Sequence, residues 1–457
     1  MIKRQSDYSL IRAIEKHAIP MDGELLDYDE IIQASKGKQF ILIGEASHGT
    51  KEFYRARAEI TERLIAESAF DAVAVEADWP DAYRVNRYVS LLGEDRNADQ
   101  ALADFERFPT WMWRNQEVER FIHWLYEYNF EFRLANGTND GPDWPVGFYG
   151  LDLYSLNTSI HAVIGYLTKI DPAAARRARK RYGCLYHFMN NPPAYGYAID
   201  AGFADSCEDE ILLQLKELQE KAFEYLRRDG FIAEDEYFCA QQNAKLVRNA
   251  EGYYRALYRG HPNTWNLRDK HMSETLKELA THLTKRLGRK ARIVVWAHNS
   301  HVGNASATEM FRRGEFNMGQ IIKSIYGAEA LLVGFSTSRG TVTAASNWDA
   351  PIEVKQIREP VAGSLEEIFH RVNLKSFMLD LRETNEAVDG LMEDRLQRAI
   401  GVIYRADTER QSHYFYTRLP EQFDFIIHYD NTRAVKPLKT DMRQHKGEMD
   451  ETFPSGL

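Results

Sequence analysis

The sequence predicts an α/β protein with a mostly parallel central sheet flanked by helices, and with a long helical insertion roofing a cleft at the sheet edge. Two observations predict this fold. Several apolar runs are rich in Val and Ile without alternating polar positions, as strands are when both faces of a sheet are covered. A long later stretch has amphipathic helical periods and almost no strand candidates.

Seven apolar runs are predicted to be strands. They span residues 39–45, 71–76, 146–152, 292–297, 330–335, 376–381 and 424–428. Between the first two runs, Phe53, Ala56, Ile60 and Leu64 recur at helical spacing, and Thr50 stands where it would cap the helix. This segment therefore predicts a βαβ unit with a right-handed crossover.

The changes of pattern divide the chain into a core and an insertion. We predict an α/β core from residues 1–154 and 289–438, a helical insertion over residues 155–288, and a flexible tail over residues 439–457. The insertion contains EDEILLQLKELQEKAFEYLRR and EYFCAQQNAKLVRNAEGYYRALYR, both with long amphipathic periods. We expect it to cover the carboxyl edge of the sheet and to help define a pocket there.

Composition and charge disfavour several classes of protein. The 457-residue chain has a formal charge of −10 and a pI near 5.8, which disfavours nucleic-acid binding. The segment MIKRQSDYSLIRAIEKHAIP lacks the apolar core of a secretory signal, and no window approaches the roughly 20 apolar residues of a membrane span. Three cysteines without CxxC spacing fit a reducing compartment. We therefore predict a cytoplasmic protein that contacts no nucleic acid and no membrane.

Ionisable side chains follow three of the predicted strands. Glu45 and His48 end the run ILIGEASHGT, Glu76 ends DAVAVEADWP, and His298 and His301 follow ARIVVWA. Because the carboxyl ends of parallel strands meet at one edge of a sheet, we expect these side chains to line a single cleft. The alternative for the two glutamates is a structural role at a helix start, where negative charge is favoured by roughly 0.3 to 1 kcal/mol.

These segments resemble the erythromycin esterase family. The resemblance rests on GEASHG followed by Arg57, on VAVEADWP, on GLDLYSL and on WAHNSHVG, in order from about residue 35 to about residue 430. It implies an active-site role for Arg57 and a functional glutamate at Glu76, which would join Glu45 in an acidic cluster. It also implies further residues that line the cleft. These are Asp152, Arg268, Asp269, Trp111, Trp113 and Arg114.

The chemistry is constrained by motifs that the sequence lacks, namely GxSxG, GxxxxGK[ST], GxGxxG and HExxH. A hydrolase can still activate water directly with a histidine, which titrates near neutral pH. His48 is the candidate base. Glu45 would orient its ring and stabilise the imidazolium, and Arg57 would stabilise a developing oxyanion.

The HxxH spacing of His298 and His301 places both residues on one side of a helical turn or in the loop after a strand. Three roles stay open for this pair: binding a metal, polarising an ester carbonyl, or forming a structural pair joined by hydrogen bonds. Asn299 between them could orient either ring or bind substrate.

Three classes of function follow from these residues. The first is a metal-independent hydrolase of small-molecule carboxylic esters or lactones that needs no cofactor and in which His48 activates water. The second is a metal-dependent hydrolase in which His48, His298 and His301, with a carboxylate, bind a divalent cation. The third is a non-catalytic metabolite-binding protein, which the combination of a base, paired acids and cations disfavours. Macrolide hydrolysis does not follow from the resemblance, and one sequence does not reveal the oligomeric state.

Overall fold

The predicted apolar runs form one mixed sheet in the computed structural model, which describes residues 2–23, 25–136, 145–189, 191–226, 230–258 and 263–439. The strands are β1 Ile19–Pro20, β2 Phe40–Ile43, β3 Ala72–Asp78, β4 Gly147–Asp152, β5 Ile293–Trp296, β6 Ala330–Ala345, β7 Ile352–Ile357, β8 Ser376–Asp380, β9 Arg395–Arg398, β10 Tyr414–Thr417 and β11 Phe425–Thr432. The predicted tail lies outside the described residues from residue 440 onward.

The main sheet is mostly parallel, as predicted. Its strand order is β1-β8-β11-β6-β2-β5-β3-β4, with β7 paired to β6, and β9 and β10 form a separate two-stranded sheet. The neighbours from β11 to β4 pair in parallel. Only the β1–β8, β8–β11 and β6–β7 pairs of this sheet are antiparallel.

All seven predicted strands form, and β1, β7, β9 and β10 were not predicted. These four lack a long apolar run: β1 has two residues, β7 is mostly exposed, and β9 reads RLQR. β6 also continues beyond its predicted end, because its second half pairs with β7. Short or polar strands such as these depend on their partners rather than on their own sequence.

Burial on both faces of the sheet explains the lack of alternation in the central strands. Along β2, Phe40 and Leu42 pack into the core on one face, whereas Ile41 and Ile43 pack into the core on the other. All four side chains are fully shielded from solvent. A strand with two buried faces needs apolar residues at every position.

β5 lies between β2 and β3 and pairs in parallel with both. The predicted βαβ unit therefore joins strands that are not neighbours. Glu45 and Glu76 therefore do not follow adjacent strands, because β5, from much later in the chain, separates β2 from β3.

The helices flank the sheet and fill the region between β4 and β5. They are α1 Ile2–His17, α2 Asp29–Ala34, α3 Lys51–Ser68, α4 Trp79–Val89, α5 Ala98–Ala101, α6 Gln116–Asn136, α7 Leu156–Ile170, α8 Pro172–Arg181, α9 Pro192–Asp200, α10 Glu208–Glu220, α11 Ala222–Leu226, α12 Gly230–Ala256, α13 Asn263–Leu287, α14 Asn299–Val302, α15 Glu309–Arg312, α16 Met318–Tyr326, α17 Leu365–His370, α18 Glu386–Leu391, α19 Glu409–Ser412 and α20 Leu419–Gln422. Between β4 and β5 the described residues contain helices but no strand. The division of the chain into core and insertion stays a prediction.

No helix among the described residues is long and apolar enough to cross a membrane.

The first helix after β2 begins where the sequence predicts. Phe53, Ala56, Ile60 and Leu64 are all buried on one side of α3. Thr50 occupies the N-cap position but makes no side-chain cap, because its hydroxyl is hydrogen-bonded to the hydroxyl of Ser47 instead. The apolar spacing was therefore the better predictor of this helix than the cap.

Two of the three cysteines are paired. Cys184 and Cys207 form a disulfide between the segment after α8 and the start of α10, and Cys239 is free and buried. The sequence had suggested unpaired thiols in a reducing compartment. With two of the cysteines paired, cysteine usage no longer indicates a reducing compartment, and the cytoplasmic location stays a prediction.

The loop that carries His48 is clamped to β6 through Gly49. The Gly49 carbonyl accepts hydrogen bonds from the backbone N–H groups of Thr343 at 3.0 Å and Val435 at 2.9 Å. A Cβ at Gly49 would lie 1.9 Å from the Thr343 carbonyl oxygen, which is far inside van der Waals contact. Only glycine lets the two backbones approach this closely.

We expect Gly49→Ala to lower the free energy of unfolding by about 1 to 3 kcal/mol, because backbone must move to admit the methyl group. The matched control is Gly165→Ala on α7, where a Cβ meets nothing within 4 Å, and where alanine should be neutral or stabilising by about 0.4 to 1 kcal/mol. Urea unfolding measures both. Equal stability of Gly49→Ala and wild type would contradict the close approach.

Candidate active site

The predicted site residues converge at the carboxyl ends of four neighbouring parallel strands. Glu45 and His48 follow β2, His298 follows β5, Glu76 lies near the end of β3, and Asp152 ends β4. These strands are consecutive in the order β2-β5-β3-β4. The edge of the sheet therefore gathers these groups from segments that lie far apart in sequence.

Glu45 bridges His48 and Arg57. Its Oε1 lies 2.9 Å from His48 Nδ1, and its Oε2 lies 3.0 Å from Arg57 Nη2. A carboxylate accepts hydrogen bonds only, so the neutral His48 ring carries its proton on Nδ1 and keeps the lone pair on Nε2. Both Glu45 and His48 are nearly inaccessible to solvent, with 1% and 2% exposure.

Arg57 lies behind Glu45 rather than at the cleft. Its guanidinium is completely buried over the rings of Tyr54 and Trp296, at 4.4 Å and 5.2 Å from their centroids. No hydrogen bond of normal geometry reaches its N–H groups within the described chain, so the contact with Glu45 is an ion pair. The predicted oxyanion role of Arg57 does not fit this position, because the side chain is not part of the cavity wall.

Glu76 belongs to a second charge network. Its Oε1 accepts a hydrogen bond from Arg268 Nη2 at 2.6 Å, and its Oε2 accepts the backbone N–H of His298 at 2.8 Å. Burial by itself would raise the pKa of Glu76, but the charges of His301 and Arg268 outweigh burial and hold that pKa well below its usual range. This lowered pKa is opposite to the rise expected from a like-charged neighbour, because Glu76 contacts Arg268 and Glu45 contacts Arg57.

Arg268 connects α13 to the ends of two strands. Its Nε and Nη2 donate to the two carboxylate oxygens of Asp152 at 3.0 Å and 2.7 Å, in addition to the bond with Glu76. The guanidinium also lies 5.0 Å from the ring centroid of Tyr154. Bidentate hydrogen bonds of this kind fix the plane of an arginine guanidinium.

His301 is fully buried next to Glu76 and Asp269. Its Nδ1 lies 2.9 Å from Asp269 Oδ2, its Nε2 lies 3.3 Å from Glu76 Oε1, and its ring stacks on Trp265 at 4.6 Å. Burial by itself would lower the pKa of His301, but the Asp269 and Glu76 carboxylates outweigh it and raise that pKa to about 9. Arg268 Nη1 is also 3.1 Å from Nε2, a contact that is a hydrogen bond only when His301 is neutral.

His298 points the other way from the same short helix. Its Nδ1 accepts the backbone N–H of Ser300 at 3.2 Å, and its ring centroid lies 4.8 Å from that of His48. Burial, followed by the charge of the neighbouring His48 ring, holds the pKa of His298 well below its usual range. The two histidines of the HxxH pair therefore differ in charge. His298, beside His48, is neutral, and His301, beside Glu76, is protonated.

A cavity of about 80 Å³ opens in front of His48. Of the predicted residues, His48, Glu76, Trp113, Asp152 and Arg268 line it. The others lie outside its wall. These are Glu45, Arg57, Trp111, Arg114, Asp269, His298, Asn299 and His301.

Three of the residues outside the wall have structural contacts instead of the predicted contact with substrate. Asn299 donates its amide to the Phe335 carbonyl at 2.7 Å and so ties the loop after β5 to β6. Arg114 lies 3.4 Å from Asp99, and Trp111 is buried in the core. The sequence pattern did not distinguish wall residues from residues that support the wall.

Several wall residues were not predicted. They are Ala77, Asp78, Asp81, Phe105, Arg107, Phe108, Pro109, Met112, Tyr154, Trp348 and Val402. The acids in DWPD follow Glu76 directly, so their nearness to the strand end was a usable signal. Trp348 and Val402 come from distant loops, and nothing in their local sequence marks them.

The nitrogen and oxygen atoms near His48 that could bind a metal already contact one another. His48 Nδ1 contacts Glu45, and His301 contacts Asp269 and Glu76. Within the described residues, no group of three or more His, Cys, Asp or Glu side chains is arranged to hold a metal ion. The donor set as it stands does not fit the predicted alternative of a metal centre.

Comparison with known proteins assigns the family. A model described as Erythromycin esterase matches residues 65–432, so the chain belongs to the erythromycin esterase family, whose name indicates a hydrolase. The match includes Glu76, His298 and His301 and begins after His48. The chain is also 21% identical over 396 residues to the Bacillus subtilis (strain 168) protein named "Putative hydrolase YbfO", covering 81% of each chain.

Solved structures share the fold at low sequence identity. A Bacillus cereus protein has a TM-score of 0.74 at 19% identity and covers 95% of this chain and 99% of its own. A protein described as a succinoglycan biosynthesis protein has a TM-score of 0.74 at 20% identity, with 94% and 98% covered. A mutant of the erythromycin esterase EreC in its open conformation has a TM-score of 0.64 at 14% identity, with 95% and 98% covered.

The raised pKa of His301 predicts a pH-dependent stability. Its folded pKa of about 9 lies above the ordinary value of 6.5, so the native state keeps a proton that the unfolded chain releases. This stabilisation, on the order of 3 kcal/mol, is complete below about pH 6.5 and is lost as the pH rises through about 9. Urea unfolding at about pH 6 and about pH 9.5 measures it.

The His301→Gln variant should lack this part of the pH dependence. His123→Gln on the exposed side of α6 is the matched control and should keep it. An unchanged pH dependence in His301→Gln would show that His301 is not protonated in the native state.

Proposed function

We propose that this protein hydrolyses carboxylic esters or lactones, with His48 as the general base that activates water. One observation carries the proposal: His48 lines the cavity while the buried Glu45 holds its Nδ1. That contact leaves Nε2 as the proton acceptor and presents it from a fixed ring.

In the proposed reaction, His48 Nε2 takes a proton from water as the water oxygen attacks the carbonyl carbon. The carbonyl oxygen gains the negative charge of the tetrahedral intermediate. When the intermediate collapses, the bond to the ester oxygen breaks, and the leaving alkoxide receives the proton from His48. The products are a carboxylic acid and an alcohol, which remain in one molecule when the substrate is a lactone.

Charges around His48 support these steps. Glu45 stabilises the imidazolium that forms after proton transfer, as the acid of a catalytic triad does. Arg57 acts through Glu45, because its ion pair holds the carboxylate in place. The cavity wall contains two arginines, Arg107 and Arg268, and Arg268 is the one bonded to Glu76 at the end of β3. We therefore assign Arg268 the oxyanion role that the sequence had suggested for Arg57.

The nature of the substrate is proposed only by class. Family membership supports cleavage of an ester bond, and a cavity with both aromatic and charged side chains in its wall suits a small organic molecule. Erythromycin is one compound to assay, together with simple aryl esters and lactones.

The general base can be tested by His48→Asn. Asparagine keeps a polar side chain but removes the proton acceptor, so turnover of an aryl ester should fall by roughly 10² to 10⁴ while the protein stays folded. His161→Asn on the exposed side of α7 is the matched control and should keep full activity. His282 would be unsuitable, since its ring stacks on Phe238 and contacts Asp235. Wild-type turnover by His48→Asn would rule out the proposed mechanism.

Metal removal provides an independent test. If a histidine alone activates water, hydrolysis of an aryl ester should survive exhaustive chelation of protein purified without a histidine tag. Full activity after dialysis against chelator, with metal content measured on the same sample, is the expected result. Loss of activity that one added cation restores would favour the metal-dependent alternative.

A further inference from the structure

One wall of the cavity carries acids that the proposed mechanism does not use. Asp78 and Asp81 line the cavity together with Asp152 and Glu76. Asp78 stands at the N-cap position of α4 but caps no backbone N–H, and Asp81 lies in the first turn of that helix. The ordinary structural role of acids at a helix start therefore does not explain Asp78.

The two arginines of the cavity wall contact acids other than Asp81. Arg268 is engaged by Glu76 and Asp152, and Arg107 Nη1 contacts Asp78 Oδ2 at 2.7 Å. In the described part of the chain, no hydrogen bond or ion pair reaches the Asp81 carboxyl group, although this residue is only 5% exposed. Oδ1 of Asp78 is also buried without a hydrogen-bond partner.

Asp81 lacks a counter-charge in this structure. Burial, followed by the nearby Asp78 carboxylate, raises the pKa of Asp81 well above its usual range, and Arg107 opposes this only in part. A carboxyl group in this condition is neutral, and it ionises when a positive charge is bound beside it. The acid is therefore suited to a cationic ligand.

Aromatic rings form much of the remaining wall. Phe105, Phe108, Trp113 and Trp348 line the same cavity, with Phe108 packed on Trp348 at 4.9 Å. The faces of aromatic rings attract cations, and such rings enclose ammonium groups in many binding sites. The aromatic rings and the unpaired Asp81 thus point to the same ligand chemistry by independent routes.

We propose that Asp81 and Asp78, with these aromatic side chains, form a subsite for an ammonium group of the substrate. The inference rests on the proposed function, because the cation belongs to the ester or lactone whose carbonyl is attacked near His48. No bond is made or broken at this subsite, which orients the substrate and selects it by charge.

Calorimetric titration with hexyltrimethylammonium tests the subsite without requiring turnover. Asp81→Asn keeps the shape of the neutral carboxyl group but cannot ionise, so the dissociation constant should rise by about tenfold or more. The matched control is Glu106→Gln, which removes an exposed acid near the same wall. Its dissociation constant should stay within about twofold of wild type, because an exposed charge is screened by water.

Equal affinity of wild type and Asp81→Asn, or no binding by folded wild type at millimolar concentrations, would overturn the proposal. Circular dichroism checks folding, and Asp78→Asn provides the same comparison if Asp81→Asn unfolds. Hydrolysis of the neutral ester 4-nitrophenyl acetate by wild type tests the esterase activity separately. If wild type hydrolyses this ester but wild type and Asp81→Asn bind hexyltrimethylammonium equally well, the proposed function stands and only the subsite is wrong.

Discussion

The buried guanidinium of Arg268 joins the two parts of the molecule on which the cleft depends. It belongs to α13 in the helical region, and it is hydrogen-bonded to Glu76 on β3 and Asp152 on β4. Breaking a buried ion pair from one side leaves a charge uncompensated and typically costs about 3 to 5 kcal/mol. α13 is therefore held against the ends of β3 and β4, and Arg268 keeps its place in the cavity wall.

Two charge networks meet at this edge of the sheet without merging. One contains Glu45, His48 and Arg57, and the other contains Glu76, Arg268 and the enclosed His301 with its partner Asp269. His298 stands between them as a neutral ring. A neutral spacer keeps a protonated His48 from facing a second positive ring nearby, which would oppose proton uptake.

The sequence predicted the convergence of the site better than the orientation of its members. Glu45, His48, Glu76 and His298 meet because parallel strands end at one edge, and apolar runs reveal such strands. The direction of a side chain depends on partners that arrive from elsewhere. Arg57 turns inward to Glu45, and the wall residue Trp348 comes from a distant loop. Likewise, no local signal announces that Cys184 pairs with Cys207.

The position of β5 between β2 and β3 has a consequence for biosynthesis. The ribosome delivers β2, β3 and β4 long before residues 293–296, yet β2 and β3 cannot pair with each other in the native order. Until β5 emerges, both strands present unpaired edges that invite wrong partners. The nascent chain must therefore keep a strand-sized gap open or protected through the synthesis of the whole helical region. Long-range strand pairing of this kind is slow, and the chain is exposed to aggregation until it is complete.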